Sequence, residues 1–334
     1  MNKIVECVPN FSEGRDIARI EQITDELRKV PGIKLLDVAT DADHNRTVLT
    51  FVGPPEPVRQ AAYDAIARAV SIIDMSGHKG QHPRLGACDV CPFIPIQGAT
   101  MVECVALAND LAREVAQKLH IPVYLYEEAA RVPERKNLAT IRAGEYEGLA
   151  QKLQDPRWQP DYGPTVFNPR SGATVIGARE FLIAYNVYLS AADTDIAHRI
   201  AGIIRESGRT RVAEGGSKIR IPGVFQSVKA VGVALEKPTT AQVSMNLTNY
   251  KVTPMHIVFE AIKDLAALAG ARVLSSEIVG LIPREAILDA GRFYQPAEQS
   301  RQKLIEAAVK NLALDASRRF DPRKKIIEYL IEED

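Results

Sequence analysis

Two histidines four residues apart, His78 and His82, stand in the stretch Asp74 to Ile96, DMSGHKGQHPRLGACDVCPFIPI. Imidazole titrates near neutral pH, so at least one of the pair suits general acid or base chemistry, and the neighbouring Lys79 and Arg84 suit an anionic substrate. On a helix the same spacing would aim both rings at one metal ion. Gly80 and the Pro83 boundary argue against that helix, and no glutamate stands between the histidines as a zinc protease needs. No metal is expected. Cys88 and Cys91 form a CxxC, but no second pair accompanies it, and both begin an apolar strand where small core thiols belong.

The elements that must position these groups follow from the punctuation. Gly77, Gly80, Gly86 and Pro83 interrupt every period, so the segment is a loop. It feeds the apolar run Val90 to Ile96, which Pro92 and Pro95 mark as a strand at an edge or at a bulge. Before it, the spacing predicts a strand over residues 3 to 10, a helix from about Arg15 to Val30 capped from Ser12, strands Ile33 to Val38 and Thr47 to Val52 around a polar turn, and a helix from Gly53 to about Ile73. A helix Val102 to Leu119, a strand Val123 to Tyr126 and a helical stretch to residue 152 follow. Residues 153 to 177 carry no convincing period and read as a long functional loop or linker.

The order then restarts. Strand Phe181 to Leu189, helix Thr194 to Glu206, a basic turn with Arg209, Arg211, Lys218 and Arg220, strands Val228 to Leu235 and Ala241 to Leu247, helix Pro254 to Ala269 and strand Arg272 to Leu281 are expected, with residues 284 to 332 mostly helical. Strand, helix, strand, strand, helix, strand is the ferredoxin-like order, met twice. The expected class is therefore α+β, with two ferredoxin-like α/β sandwich subdomains, 1–178 (with linker 153–177) and 179–334 (with a helical tail), and a ligand crevice between them.

Composition excludes other classes. A chain of 334 residues exceeds one typical domain. Its 42 Lys+Arg balance 42 Asp+Glu, which argues against a general nucleic-acid or acidic-membrane surface. No signal peptide or run of about eighteen apolar residues is present, so a cytoplasmic protein with four reduced thiols, Cys7, Cys88, Cys91 and Cys104, is expected.

Taken as a set, VECVPNFSEG (5 to 14), NRTVLTFVGPP (45 to 55), IDMSGHKGQHPRLGACDVCPFIP (73 to 95), PVYLYEEAAR (122 to 131), IRAGEYEGL (141 to 149), PDYGP (160 to 164), GAREFLIAYNVYL (177 to 189) and IVGLIP (278 to 283) resemble glutamate formiminotransferase, the formiminotransferase domain of formiminotransferase-cyclodeaminase, along essentially the whole chain. The resemblance implies transfer of a formimino group from N-formimino-L-glutamate to N5 of tetrahydrofolate in histidine breakdown, two related subdomains, a folate-binding tunnel and a homodimer. It places the catalytic acid/base on His82, the second histidine of HKGxHPR, and a folate-binding loop on residues 163 to 172, through Gly163, Pro164, Phe167, Pro169 and Gly172. One departure concerns the turn after Asp37, where Ala39 stands in place of a further acidic residue of the animal proteins. A carboxylate orienting His82 is then expected from Asp41 or Asp43, or is absent. With no cyclodeaminase region in the sequence, a separate cyclodeaminase is expected to process the product.

The substrates named by the resemblance sharpen the remaining candidates. Both carry carboxylates, for which the arginine fork of Arg46 or Arg84 is suited, with Lys79 adding positive field. Asn10 and Asn45 can hydrogen-bond a pterin or an amide, or cap their own turns. Tyr126 and Phe167 can line a pteridine pocket or belong to the core. Rival readings are an enzyme acting on 5-formyltetrahydrofolate, a non-catalytic folate-binding module, and a CxxC metalloprotein.

Overall fold

Proline has no N–H for a β ladder, so the first strand cannot run unbroken through Val8-Pro9. It splits into β1 (Ile4–Cys7) and β2 (Asn10–Phe11). The computed structural model describes residues 3–190, 194–213, 215–234, 240–316 and 319–332. They divide into two units, Met1–Glu180 and Phe181–Asp334.

In the first unit α1 (Ile17–Arg28) begins two residues later than expected, with its cap one turn beyond Ser12. Asp16 is its cap, accepting from Ala18 N–H and Arg19 N–H, and Ser12 instead donates its hydroxyl to Gly86 O. Ile20, Ile23 and Leu27 face the core, while Ile17 is 61% exposed. Then come β3 (Lys34–Asp41), β4 (Arg46–Gly53), α2 (Pro55–Ile72), β5 (Cys88–Gln97), α3 (Met101–Leu119) and β6 (Val123–Glu127). Pro55 at the first turn of α2 fits there because that N–H has no helical partner anyway.

The sheet runs β3, β4, β1 with β2, and β5, with every neighbouring pair antiparallel. Beyond β5 it continues into β7 (Thr174–Ala178) and β6 in parallel. Two expectations are refined here. β5 is an interior strand and not an edge, but the expected alternative, a bulge, is present: its register slips beside Pro95 against β1 and at Asp89 against β2, and Pro92 is accommodated where the β1–β2 break lies opposite and Val8 N–H meets Pro92 O. The stretch 153–177 was expected to be loop throughout, yet Thr174 opens β7. Its five residues are all buried and so show no alternation.

Helices α1, α2 and α3 cover one face over a core that includes Phe11, Phe51, Phe93 and Leu111. The other face, over β5, β7 and β6, is covered by two short helices, α4 (Leu138–Arg142) and α5 (Glu145–Lys152), through Ile141 and Leu149. They replace the single helical stretch expected before residue 152.

The second unit has β8 (Ile183–Leu189), α6 (Thr194–Ile204), β9 (Arg209–Val212), β10 (Lys218–Ile221), β11 (Val228–Ala234), β12 (Ala241–Leu247), α7 (Met255–Leu268) and β13 (Val273–Val279). Its four-stranded sheet runs β11, β12, β8, β13, all antiparallel. Ile183, Tyr185, Val187 and Leu189 alternate inward along β8. The expected basic turn is a β9–β10 hairpin of exposed strands. Leu235, expected to end β11, lies outside the described residues. Helices α8 (Arg284–Tyr294), α9 (Arg301–Asn311), α10 (Pro322–Lys325) and α11 (Ile327–Glu332) follow.

Candidate active site

The loop that carries His82 is fastened at both ends. Gly80 lies against the β3–β4 turn so closely that a Cβ there would stand 2.3 Å from His44 O. Asn45, at φ 50°, straddles the contact: its Oδ1 accepts from Gly14 N–H at 3.0 Å and its Nδ2 donates to Lys79 O at 2.9 Å. His78 is tied into the same knot, with Nε2 3.1 Å from Asn45 O and Nδ1 3.2 Å from Arg84 Nε. Downstream, Ala87 N–H donates to Ser171 O and Ala173 N–H to Leu85 O. Gly172, at φ 67°, permits that approach, since a Cβ would stand 2.1 Å from Leu85 O.

Between these anchors His82 is 7% exposed. Its Nε2 lies 2.8 Å from Asn10 Nδ2 and 3.5 Å from Asp89 Oδ2, and Arg46 Nη1 approaches its Nδ1 at 3.4 Å. Asp89 is fully buried, accepts from Leu85 N–H at 3.0 Å and pairs with Arg142 of α4. Its position follows from the register: Asn10 stands opposite Val90, but Phe11 stands opposite Cys88, so Asp89 is the extra residue of a β-bulge. A bulge turns its side chain away from the face the alternation would give it.

The electrostatics favour a neutral ring. Burial lowers the proton affinity of His82, Asp89 raises it, and Arg142 and Arg46 lower it again, leaving it below the ordinary 6.5. Burial pushes the Asp89 carboxyl up, but Arg142 and His82 more than reverse this, so it stays ionised. A buried neutral imidazole can accept a proton and return it.

Residues 4–179 match the family described as Formiminotransferase domain, N-terminal subdomain, and residues 184–332 match Formiminotransferase domain. The chain belongs to the formiminotransferase family. It is 43% identical over 298 residues to the glutamate formimidoyltransferase of Streptococcus pyogenes serotype M1, covering 89% of this chain and 95% of that one. To the glutamate formimidoyltransferase of Thermoplasma acidophilum it is 44% identical over 293 residues, covering 87% and 92%. To the formimidoyltransferase-cyclodeaminase of Gallus gallus it is 47% identical over 336 residues, covering 99% of this chain and 60% of that one. The chain thus spans about 60% of the length of the formimidoyltransferase-cyclodeaminases it matches.

In this formiminotransferase-family chain the candidates do not all converge on one place. Asn10 and Arg46 meet at His82. Lys79 and Arg84 line a separate cleft of about 460 Å³ with His78, Gly80, Gly144, Glu145 and Glu147. There Arg84 is already engaged, gripping Glu147 at 2.7 and 2.8 Å and Glu145 at 3.3 Å. Asn45 is spent on the turn. Of the 163–172 segment, Gly163 (φ 90°) packs under Ile121 O, Phe167 lies 5.4 Å from the Tyr146 ring, the Pro169 carbonyl accepts from Tyr146 OH, and Pro164 is half-buried. Tyr126 is buried beside Gly177, where a Cβ would collide with its ring.

The carboxylate beside His82 is not one of those expected. Asp41 bonds His44 Nδ1 at 2.7 Å and closes its own turn, and Asp43 is exposed, lending only its carbonyl to Gln81 N–H. Asp89 and Arg142 do not stand out in the sequence as members of the site. A lone carboxylate inside an otherwise apolar run was the available signal, since buried Asp is rare unless paired. All four cysteines are buried, and Cys91 Sγ meets Cys7 Sγ at 3.4 Å across the strands. Among the described residues no three His, Cys, Asp or Glu side chains are arranged to hold a metal, and no helix is long and apolar enough to cross a membrane.

Proposed function

We propose that this transferase moves the formimino group from N-formimino-L-glutamate to N5 of tetrahydrofolate, with tetrahydrofolate as co-substrate and His82 as general acid and base. The observation that carries the proposal is the 43% identity to a glutamate formimidoyltransferase of which this chain covers 95%. The buried, neutral His82 supports the chemistry.

N5 attacks the amidine carbon, and a new C–N bond forms as the C=N electrons move onto the imino nitrogen. The attacking nitrogen must then lose its proton, which His82 takes. The pair on the imino nitrogen then re-forms C=N as the old C–N bond breaks, and the departing glutamate nitrogen gains a proton, which His82 returns. Glutamate leaves, 5-formiminotetrahydrofolate remains, and the ring is neutral again. Such transfer is commonly worth ~10² to 10⁴ in rate, with positioning supplying the rest.

For the carboxylates of the two substrates the reading uses Arg46 and Lys79, and Arg84 where a substrate carboxylate exchanges with Glu147. Asn10 holds the His82 ring through its amide. The segment from Gly163 to Gly172, with Pro164, Phe167 and Pro169, serves the folate, Asn45 fastens the loop that carries His82, and Tyr126 packs beneath the site beside Gly177. Each unit is read as a ferredoxin-like α/β sandwich, a reading supported by the fourth, first, third, second strand order of β5, β1, β4, β3 and of β13, β8, β12, β11. The protein is read as a cytoplasmic homodimer. The deciding assay supplies N-formimino-L-glutamate and tetrahydrofolate to the purified chain and follows glutamate release and 5-formiminotetrahydrofolate formation. Release that needs both substrates is expected. Turnover of 5-formyltetrahydrofolate alone would overturn the proposal, and light scattering tests the dimer.

A further inference from the structure

The neighbours of His82 decide which of its nitrogens carries the hydrogen of the neutral ring. A guanidinium has only N–H groups to offer, so the 3.4 Å approach of Arg46 Nη1 requires a lone pair on Nδ1. On the opposite edge an ionised carboxylate only accepts, so Asp89 Oδ2, 3.5 Å away, requires a hydrogen on Nε2. The reverse tautomer would set N–H against N–H on one side and a lone pair against an anion on the other. The nearer end of the Asn10 amide, 2.8 Å from Nε2, is then its oxygen, because which end is oxygen is decided by the network and not by shape. Arg46 itself makes no ion pair among the described residues, which leaves its fork able to take a carboxylate.

We infer that His82 works through Nδ1. Asp89 and Asn10 hold the ring in its Nε2–H form, Arg46 covers the basic Nδ1 in the free protein, and a carboxylate of the bound amino-acid substrate draws the guanidinium away and exposes the lone pair. Asp89 and Asn10 are positioning residues, and Arg46 is a substrate-operated cover. The inference rests on the acid/base reading of His82 and adds which atom acts and what releases it. The charged groups that bear on the ring are Asp89 from β5, Arg142 from α4 and Arg46 from β4. Because Arg142 offsets the Asp89 charge, the carboxylate sets the tautomer without making the ring strongly basic, and the base is ready at neutral pH.

The test is nitrogen NMR of the full chain labelled with 15N-histidine, with the His82 signals assigned by their loss in His82→Gln. The neutral ring is expected to show hydrogen on Nε2 and none on Nδ1. Saturation with L-glutamate or N-formimino-L-glutamate, without folate, should move the Nδ1 resonance in the parent and leave it still in Arg46→Met. In that variant the ring's protonation midpoint should rise, because a nearby positive charge has gone. A ring with hydrogen on Nδ1, or an Nδ1 resonance that ignores saturating ligand, overturns the inference. If His82→Gln loses activity while the ring proves to be Nδ1–H, only this inference falls; if His82→Gln keeps full activity, the acid/base reading falls with it.

Discussion

Asp89 Oδ2 comes within 3.5 Å of His82 Nε2 because β5 fits an extra residue between Cys88 and Val90, opposite the adjacent pair Phe11 and Asn10. The bulge converts a strand position into a support for the loop beside it, and α4 supplies Arg142 to make an ionised carboxylate tolerable at zero exposure.

The two histidines of the loop should separate cleanly. His82→Gln is expected to lower turnover at least ~10²-fold with folate affinity little changed, the loss of a proton-transfer catalyst. His78 has both nitrogens committed to the fold, so His78→Ala should cost about 1–2 kcal/mol of stability through its lost hydrogen bonds and much less in turnover. Single-turnover rates, folate titration and urea denaturation of both variants check this. A larger turnover loss at His78 would reverse the assignment.

Arg142 should set the acid limb of the pH–rate profile. On the proposed role of His82 as a neutral base, the acid limb of kcat/KM in the parent should lie below the ordinary histidine value of 6.5, because burial lowers the proton affinity of the ring. Arg142→Gln leaves Asp89 unopposed, stabilises the imidazolium and should move the limb to higher pH. An unmoved limb would mean that Arg142 only fills space.

Proton linkage also predicts the direction of acid destabilisation. His78, His82 and His256 all hold protons less well than 6.5 in the folded chain, burial being the first cause for each. Unfolding restores the ordinary value, so the unfolded chain takes up more protons as pH falls below 6.5. Stability is therefore full above that pH and is lost as pH drops from 6.5 toward the folded-state values. Urea midpoints should fall between pH 7.5 and pH 5. His256→Phe should flatten the slope, since His256 Nδ1 is buried without a partner and its ring already stacks on Phe293 at 4.7 Å.

Two glycines should respond oppositely to alanine. Gly172→Ala places a Cβ 2.1 Å from Leu85 O at φ 67°, so it should cost about 2 kcal/mol or more and loosen the His82 loop. Gly148→Ala in α5 meets nothing within 4 Å and should stabilise by about 0.5–1 kcal/mol. Thermal unfolding of the pair gives both signs in one experiment.

Helical periodicity and turn residues made the order of strands and helices legible in both halves, and the motifs around His82 pointed to the family that the match over residues 4–179 and 184–332 shows. What escaped depended on partners distant in sequence. β7 is a short buried strand with no alternation, and β9 and β10 are exposed along nearly their whole length, so no buried face marks them. The prolines of β5 signal an edge or a bulge alike, and only the pairing with β1 and β2 shows an interior strand with bulges. Asp89 needed the bulge, and the bulge exists only in the pairing with Asn10 and Phe11. Arg142 reaches Asp89 from a helix 53 positions further on.

The place of β7 has a consequence for synthesis. It slots between β5 and β6, both made earlier, so the last strand to emerge from the ribosome is the one that joins the two parts of the sheet. A nascent chain shorter than about Ala178 therefore presents two strands with bare facing edges, and this half of the protein completes itself only after nearly all of its length has been translated.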